Sequence, residues 1–126
     1  MSPPRILIVD DDDMLRSSLA RVLRGRFDVV VAENGAVAMH LIENGKKFDA
    51  ILTDVEMPVM DGRALIERLA EIDPALVGRV LVMTGGPRDA GLAAWVGQFA
   101  SARVLAKPIE TDMLLGAIEA LLHGRV

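Results

Sequence analysis

Short apolar runs alternate along this chain with segments of helical periodicity, and few folds accommodate that alternation. The runs are Arg5–Val9, Asp28–Ala32, Ala50–Thr53, Arg79–Met83 and Arg103–Ala106. Most are Val, Ile and Leu without a polar alternate, as in strands buried on both faces. The second and fifth are less apolar and are expected at sheet edges. Between them lie stripes at helical spacing: Leu15, Leu19, Val22 and Leu23; Val37, Ala38, Leu41 and Ile42; Leu65, Leu69 and Ile72; Leu92, Trp95, Val96 and Phe99; Leu114, Ala117, Ile118 and Leu121. Gly25, Gly45 and Gly124 follow three of these helices, Pro74 closes another, and Asn34 and Asp61 stand where N-caps belong. Five strands alternating with five helices predict an α/β fold. Its five-stranded parallel sheet is doubly wound through right-handed crossovers, with helices on both faces.

The 126 residues, 52% of them apolar, suit one domain spanning 1–126 with a full core. No apolar run approaches the roughly 18 residues of a membrane span. Met1–Pro4 lacks the basic start of a secretory signal, so a cytoplasmic location and no membrane contact are expected. The absence of Cys excludes disulfides and thiolate-bound zinc. A net charge of −4 and 3% aromatics argue against nucleic-acid binding by this domain itself.

Doubly wound sheets work beyond the carboxyl ends of their strands, near the switch in strand order. Asp10-Asp11-Asp12-Asp13 follow the first run, Asp54 the third, Thr84-Gly85-Gly86 the fourth and Lys107-Pro108 the fifth. Each has a plainer role: an acidic helix cap, a strand end, a turn, a surface dipeptide. Together they gather repelling carboxylates that a cation would relieve. An all-oxygen donor set favours a hard ion, Mg²⁺ or Mn²⁺. The Thr84 hydroxyl and Lys107 ammonium could neutralise the oxygens of a phosphoryl group in flight, with Asp54 the central candidate nucleophile.

The blocks Ile6–Asp12, Leu52–Gly62 (containing D-x-x-M-P-x-M-D-G), Val82–Gly85 and Lys107-Pro108 resemble, in order and spacing, a response-regulator receiver domain of two-component signalling. The resemblance covers essentially the whole chain. It implies the flavodoxin-like strand order 2-1-3-4-5 and transfer of a phosphoryl group from a histidine kinase phosphohistidine to the domain's own aspartate. By position, Asp54 is then the phosphoacceptor and Asp11 the direct Mg²⁺ ligand. Asp10 would act largely through water, and Asp54 and the Glu56 backbone carbonyl would complete the metal ligands. Thr84 would bind a phosphoryl oxygen, Lys107 would pair with the phosphoryl group, and the Lys107–Pro108 bond would be cis. The implied partners are a histidine kinase or phosphotransfer domain and a second copy through the fourth helix, fifth strand and fifth helix.

One departure concerns switching. The family's aromatic, three residues before the lysine, is here Val104. Glu56 and Gly86 occupy positions where the family tunes hydrolysis. The Gly85-Gly86-Pro87 turn and the Arg103–Pro108 segment resemble receivers attached to hybrid histidine kinases, which would make this an excised domain. Two other functions compete with this reading: a pseudo-receiver acting by contact alone, and a haloacid-dehalogenase-type phosphatase with Asp10 as nucleophile. The receiver reading predicts no enzyme beyond self-catalysed phosphorylation and dephosphorylation of Asp54. Trp95 and Phe99 are expected in the core, with Trp95 a candidate anchor. Arg16, Arg21, Arg24 and Arg26 are expected on a solvated face, with a minor role in docking the kinase's phosphotransfer helix implied by the resemblance; Asp89 and Arg88 are expected at a helix start, and His40 and His123 lack ligand spacing.

Overall fold

A computed structural model of the chain describes residues 2–86 and 89–124. Arg88, Pro87 of the glycine-rich turn and the last two residues of the tail lie outside these. The strands β1 (Arg5–Val9), β2 (Asp28–Ala32), β3 (Ala50–Asp54), β4 (Val80–Thr84) and β5 (Val104–Ala106) form one parallel sheet in the order β2-β1-β3-β4-β5. The two less apolar runs are the edges, as expected.

The helices are α1 (Asp13–Leu23), α2 (Gly35–Glu43), α3 (Gly62–Ile72), α4 (Pro74–Val77), α5 (Ala90–Val96) and α6 (Thr111–Leu122), with a 3-10 turn at Ser101–Arg103. Successive strand side chains point to opposite faces and build two cores. Ile6, Ile8, Leu52 and Leu81 meet Leu19 and Leu23 of α1 and Leu114 and Ile118 of α6. Leu7, Val9, Ile51 and Val82 meet Ala38 and Met39 of α2 and Leu65, Ile66 and Leu69 of α3.

The caps form where the sequence puts them. Asn34 Oδ1 accepts from the Val37 N–H, and Asp61 Oδ1 from the Ala64 N–H, both at 2.9 Å. Asp12 and Asp89 cap α1 and α5 in the same way.

Several expectations shift. β3 continues to Asp54 because Asp54 pairs with Met83 and the Val55 N–H reaches the Met83 carbonyl at 3.1 Å. β4 begins at Val80, since the Arg79 N–H instead closes α4 on the Leu76 carbonyl. Arg103 belongs to the 3-10 turn, where its guanidinium holds the carbonyls of Val77 and Val80. Pro74 ends α3 and also starts a further helix, α4. Asp73, just before it, leaves the helical region at φ −152° and ψ 78°, and the proline sits at the first position of α4. The fourth and fifth predicted helices are therefore α5 and α6. Ile72 (42% exposed) and Val22 (37%) fall off the buried stripes, and Ile66 and Met39 are buried instead. α5 buries no residue fully. Leu92, Trp95, Val96 and Phe99 lean half-buried on the core, with the Trp95 and Phe99 rings edge-on at 4.9 Å. Among the described residues, no helix is long and apolar enough to cross a membrane.

α3 starts so close to the end of β3 that a Cβ at Gly62 would run into the Asp54 carbonyl oxygen, and would lie 3.1 Å from the Val55 Cα. Both obstacles are backbone, so neither can rotate away. Gly62→Ala is expected to lower stability by more than about 2 kcal/mol in urea unfolding, as overpacking does. Gly25→Ala, with nothing within 4 Å of its Cβ, serves as the near-neutral control.

Candidate functional site

Three strand ends converge on one ammonium. Lys107, just past β5, places Nζ 3.1 Å from Asp10 Oδ2 and 3.2 Å from Asp54 Oδ2. Asp10 follows β1 and is fully buried; Asp54 ends β3 with 7% exposure; Asp11 is exposed. One carboxylate oxygen from each of the three lies within 4.8 Å of the others. Order 2-1-3 sets β1 beside β3, so Asp10 and Asp54 are brought together by the sheet itself.

Backbone donors fix the remaining oxygens. The Asp12 N–H donates to Asp10 Oδ1 at 2.8 Å, and the Val55 N–H donates to Asp54 Oδ1 at 2.9 Å. The Lys107 N–H donates to the Thr84 carbonyl at 2.8 Å, tying the ends of β4 and β5 together, and the Lys107–Pro108 bond is cis. The Thr84 hydroxyl accepts from the Gly86 N–H at 3.1 Å. Glu56 is exposed, two residues beyond Asp54. Thus Asp10, Asp11, Asp54 and Lys107 share one cluster, and Thr84 joins it through Lys107's backbone.

Sequence reasoning placed Arg16 on a solvated face. Instead it is half-buried. Its Nη1 donates to the Asp10 carbonyl at 2.7 Å, and its Nη2 pairs with Asp13. The available signal was its position one turn beyond Asp12 on a helix that starts at the site. Asp12 itself has the plainer role, a helix cap. Val104 is half-buried at the start of β5, paired with Val82.

The electrostatics follow from burial. Burial pushes the Asp54 carboxyl up to about 6; Lys107 opposes the shift and Asp10 adds to it. Burial also works against the Lys107 charge, but Asp10 and Asp54 outweigh it and hold the ammonium above its ordinary range. One ammonium among three carboxylates leaves a local charge of −2 (three negative, one positive). Oxygen donors with that deficit fit a hard divalent cation. Asp10 is fully buried, whereas Asp54 keeps 7% exposure, so Asp54 is the more accessible carboxylate of the two.

A doubly wound sheet places its ligand site beyond the carboxyl ends of the strands at the switch in strand order, where this acidic cluster lies. Residues 6–119 match the response regulator receiver domain family, and the chain belongs to it. It is 39% identical over 112 residues to a response regulator receiver protein of Anaeromyxobacter sp. (strain Fw109-5), covering 88% of this chain and 45% of that protein. It is 34% identical over 121 residues to a protein-glutamate methylesterase/protein-glutamine glutaminase of Paramagnetospirillum magneticum, covering 91% of this chain and 30% of that one. The chain therefore spans less than half the length of these curated relatives. Among solved structures, it superposes on a CheY-like receiver domain protein of Methanospirillum hungatei with TM-score 0.84 at 26% identity, covering 98% of this chain and 97% of that one. The receiver domain of a Syntrophus aciditrophicus signal transduction histidine kinase gives TM-score 0.80 at 26% identity, with 96% and 91% covered.

A carboxyl whose folded pKa is raised binds its proton more tightly folded than unfolded. Its ionisation therefore costs stability, fully above pH 6 and not at all below the unfolded value near 3.8. In metal-free buffer, Asp54→Asn is expected to stabilise the fold by on the order of 1–2 kcal/mol at pH 7. The gain should vanish as pH falls to about 4, read by urea unfolding across that range. Lys107→Met removes the opposing charge and is expected to raise the Asp54 pKa above about 6, read by carboxyl carbon NMR.

Proposed function

We propose that this domain accepts a phosphoryl group from the phosphohistidine of a histidine kinase or phosphotransfer domain onto Asp54. The observation that carries the reading is the Lys107 ammonium bridging Asp10 and Asp54 beside Asp11. An Asp54 carboxylate oxygen attacks phosphorus as the P–N bond to the donor imidazole breaks. The new P–O bond makes an acyl phosphate, and the imidazole leaves with the electron pair and is protonated there.

The chain's own groups prepare this transfer. The Val55 N–H fixes the Asp54 rotamer, which lowers the cost of orientation. Lys107 would exchange its Asp54 contact for a phosphoryl oxygen, and the Thr84 hydroxyl would rotate from Gly86 to donate to another. Asp10, Asp11, Asp54 and the Glu56 carbonyl would hold the Mg²⁺; Mn²⁺ would serve as well. When bound, the ion supplies positive charge against the phosphoryl oxygens.

With Val104 in place of an aromatic, readout falls to the Thr84–Gly86 turn and to α5, which buries no residue fully. The same reading makes residues 1–126 one cytoplasmic module, pairing with a second copy through α5, β5 and α6. It turns over no external metabolite.

The test is intact-mass spectrometry after incubation with acetyl phosphate and Mg²⁺. A single phosphoryl adduct is expected, absent in Asp54→Asn and absent in EDTA. Lys107→Ala should slow labelling roughly 100-fold, as loss of one charge-stabilising donor does. Labelling of Asp54→Asn at the wild-type rate would overturn the assignment. An unlabelled protein that also fails to accept phosphate from a phosphorylated phosphotransfer domain would favour the pseudo-receiver.

A further inference from the structure

β2 is an open edge. The Asp28 N–H bonds the Pro4 carbonyl at 2.9 Å, and the Ala32 carbonyl accepts from the Asp10 N–H at 3.1 Å. In a parallel ladder, backbone groups alternate in direction, so Asp28, Val30 and Ala32 face β1. Val29 and Val31 therefore turn their N–H and C=O groups away from the sheet. The strand reads Asp-Val-Val-Val-Ala, with no proline or lysine to block pairing.

An open groove of about 450 Å³ runs between this edge and α1, lined by Arg16, Ser17, Ala20, Arg21, Arg24 and Val31. Val31, 38% exposed, gives it an apolar floor beside Ala20. Arg16 is engaged with Asp10 and Asp13, and Arg26 with Glu119. Arg21 and Arg24 have no ion pair among the described residues. A chain of net charge −4 thus sets two arginines without an ion pair among the described residues along a groove beside the β2 edge.

We propose that this groove docks an extended acidic segment of a partner protein, which adds as a sixth strand beside β2 and sets its carboxylates against Arg21 and Arg24. Backbone pairing to Val29 and Val31 supplies affinity, and the arginines supply selectivity for acidic sequences. Alternate side chains on such a strand fall about 6.6 Å apart, within reach of two guanidiniums one helical turn apart. A second copy is disfavoured, because its own β2 edge would bring a like-charged arginine groove alongside.

The probe is a fluorescein-labelled (Asp-Val)4 peptide, followed by anisotropy, with (Lys-Val)4 as its charge-reversed control. Saturable binding of the acidic peptide alone is expected, together with slowed hydrogen exchange at the Val31 amide. Arg21→Gln/Arg24→Gln should weaken binding at least tenfold. Lys46→Gln/Lys47→Gln, which removes the same charge from exposed residues outside the groove, should change it less than twofold. Val31→Pro removes the outward N–H together with the Val31 side chain on the groove floor, a substitution that edge strands tolerate, and should also weaken binding at least tenfold while circular dichroism is retained. Equal loss in the lysine variant, no saturation, or unslowed Val31 exchange in the complex would overturn the proposal. So would sedimentation showing a dimer that Val31→Pro dissociates, since the β2 edge would then be a self-association surface.

Discussion

The ammonium of Lys107 holds the carboxyl edge of the sheet together. Asp10 and Asp54 end neighbouring strands, and both are largely withdrawn from water. Two such carboxylates cannot stay ionised side by side without a positive group. Lys107 reaches both from β5, two strands beyond β3, with its backbone N–H fastened to Thr84. The charge balance is still short by two, which leaves the site suited to a divalent cation.

The two cores serve this edge by fixing strand register. A one-residue slip would send Ile6 and Ile8 to the wrong face and carry Asp10 away from Asp54. The tight start of α3 at Gly62, against the Asp54 carbonyl, sets the chain's exit from β3. Arg16 adds a link from α1 to the Asp10 carbonyl, so the first helix is anchored to the site as well as to its core. α5 is held more lightly, through half-buried Leu92, Trp95 and Val96.

Much of this was legible in the residues. The runs of Val, Ile and Leu located all five strands, because burial on both faces leaves no room for polar alternation. Asn34 and Asp61 announced helix starts, because only a short polar side chain can fold back onto the first turn's N–H groups. Strand ends were off by a residue where a neighbour decided them: Met83 extends β3, and the closing turn of α4 delays β4. α4 escaped notice because one proline both stops a helix and starts another. Arg16 was misjudged because a guanidinium on a polar helix face looks solvated until the carbonyl beneath it is placed.

By itself the sequence determined the α/β class, the family and which polar and charged groups follow each strand, since these depend on periodicity and on the order of residues along the chain. Only the tertiary structure decided their electrostatics. Asp54 is held near pKa 6 because packing removes its water, and Lys107 serves two carboxylates because strands distant in sequence end side by side. The same holds for the arginine groove. Arg21, Arg24 and Val31 are unremarkable in the chain and become one surface only when α1 lies along the open edge of β2.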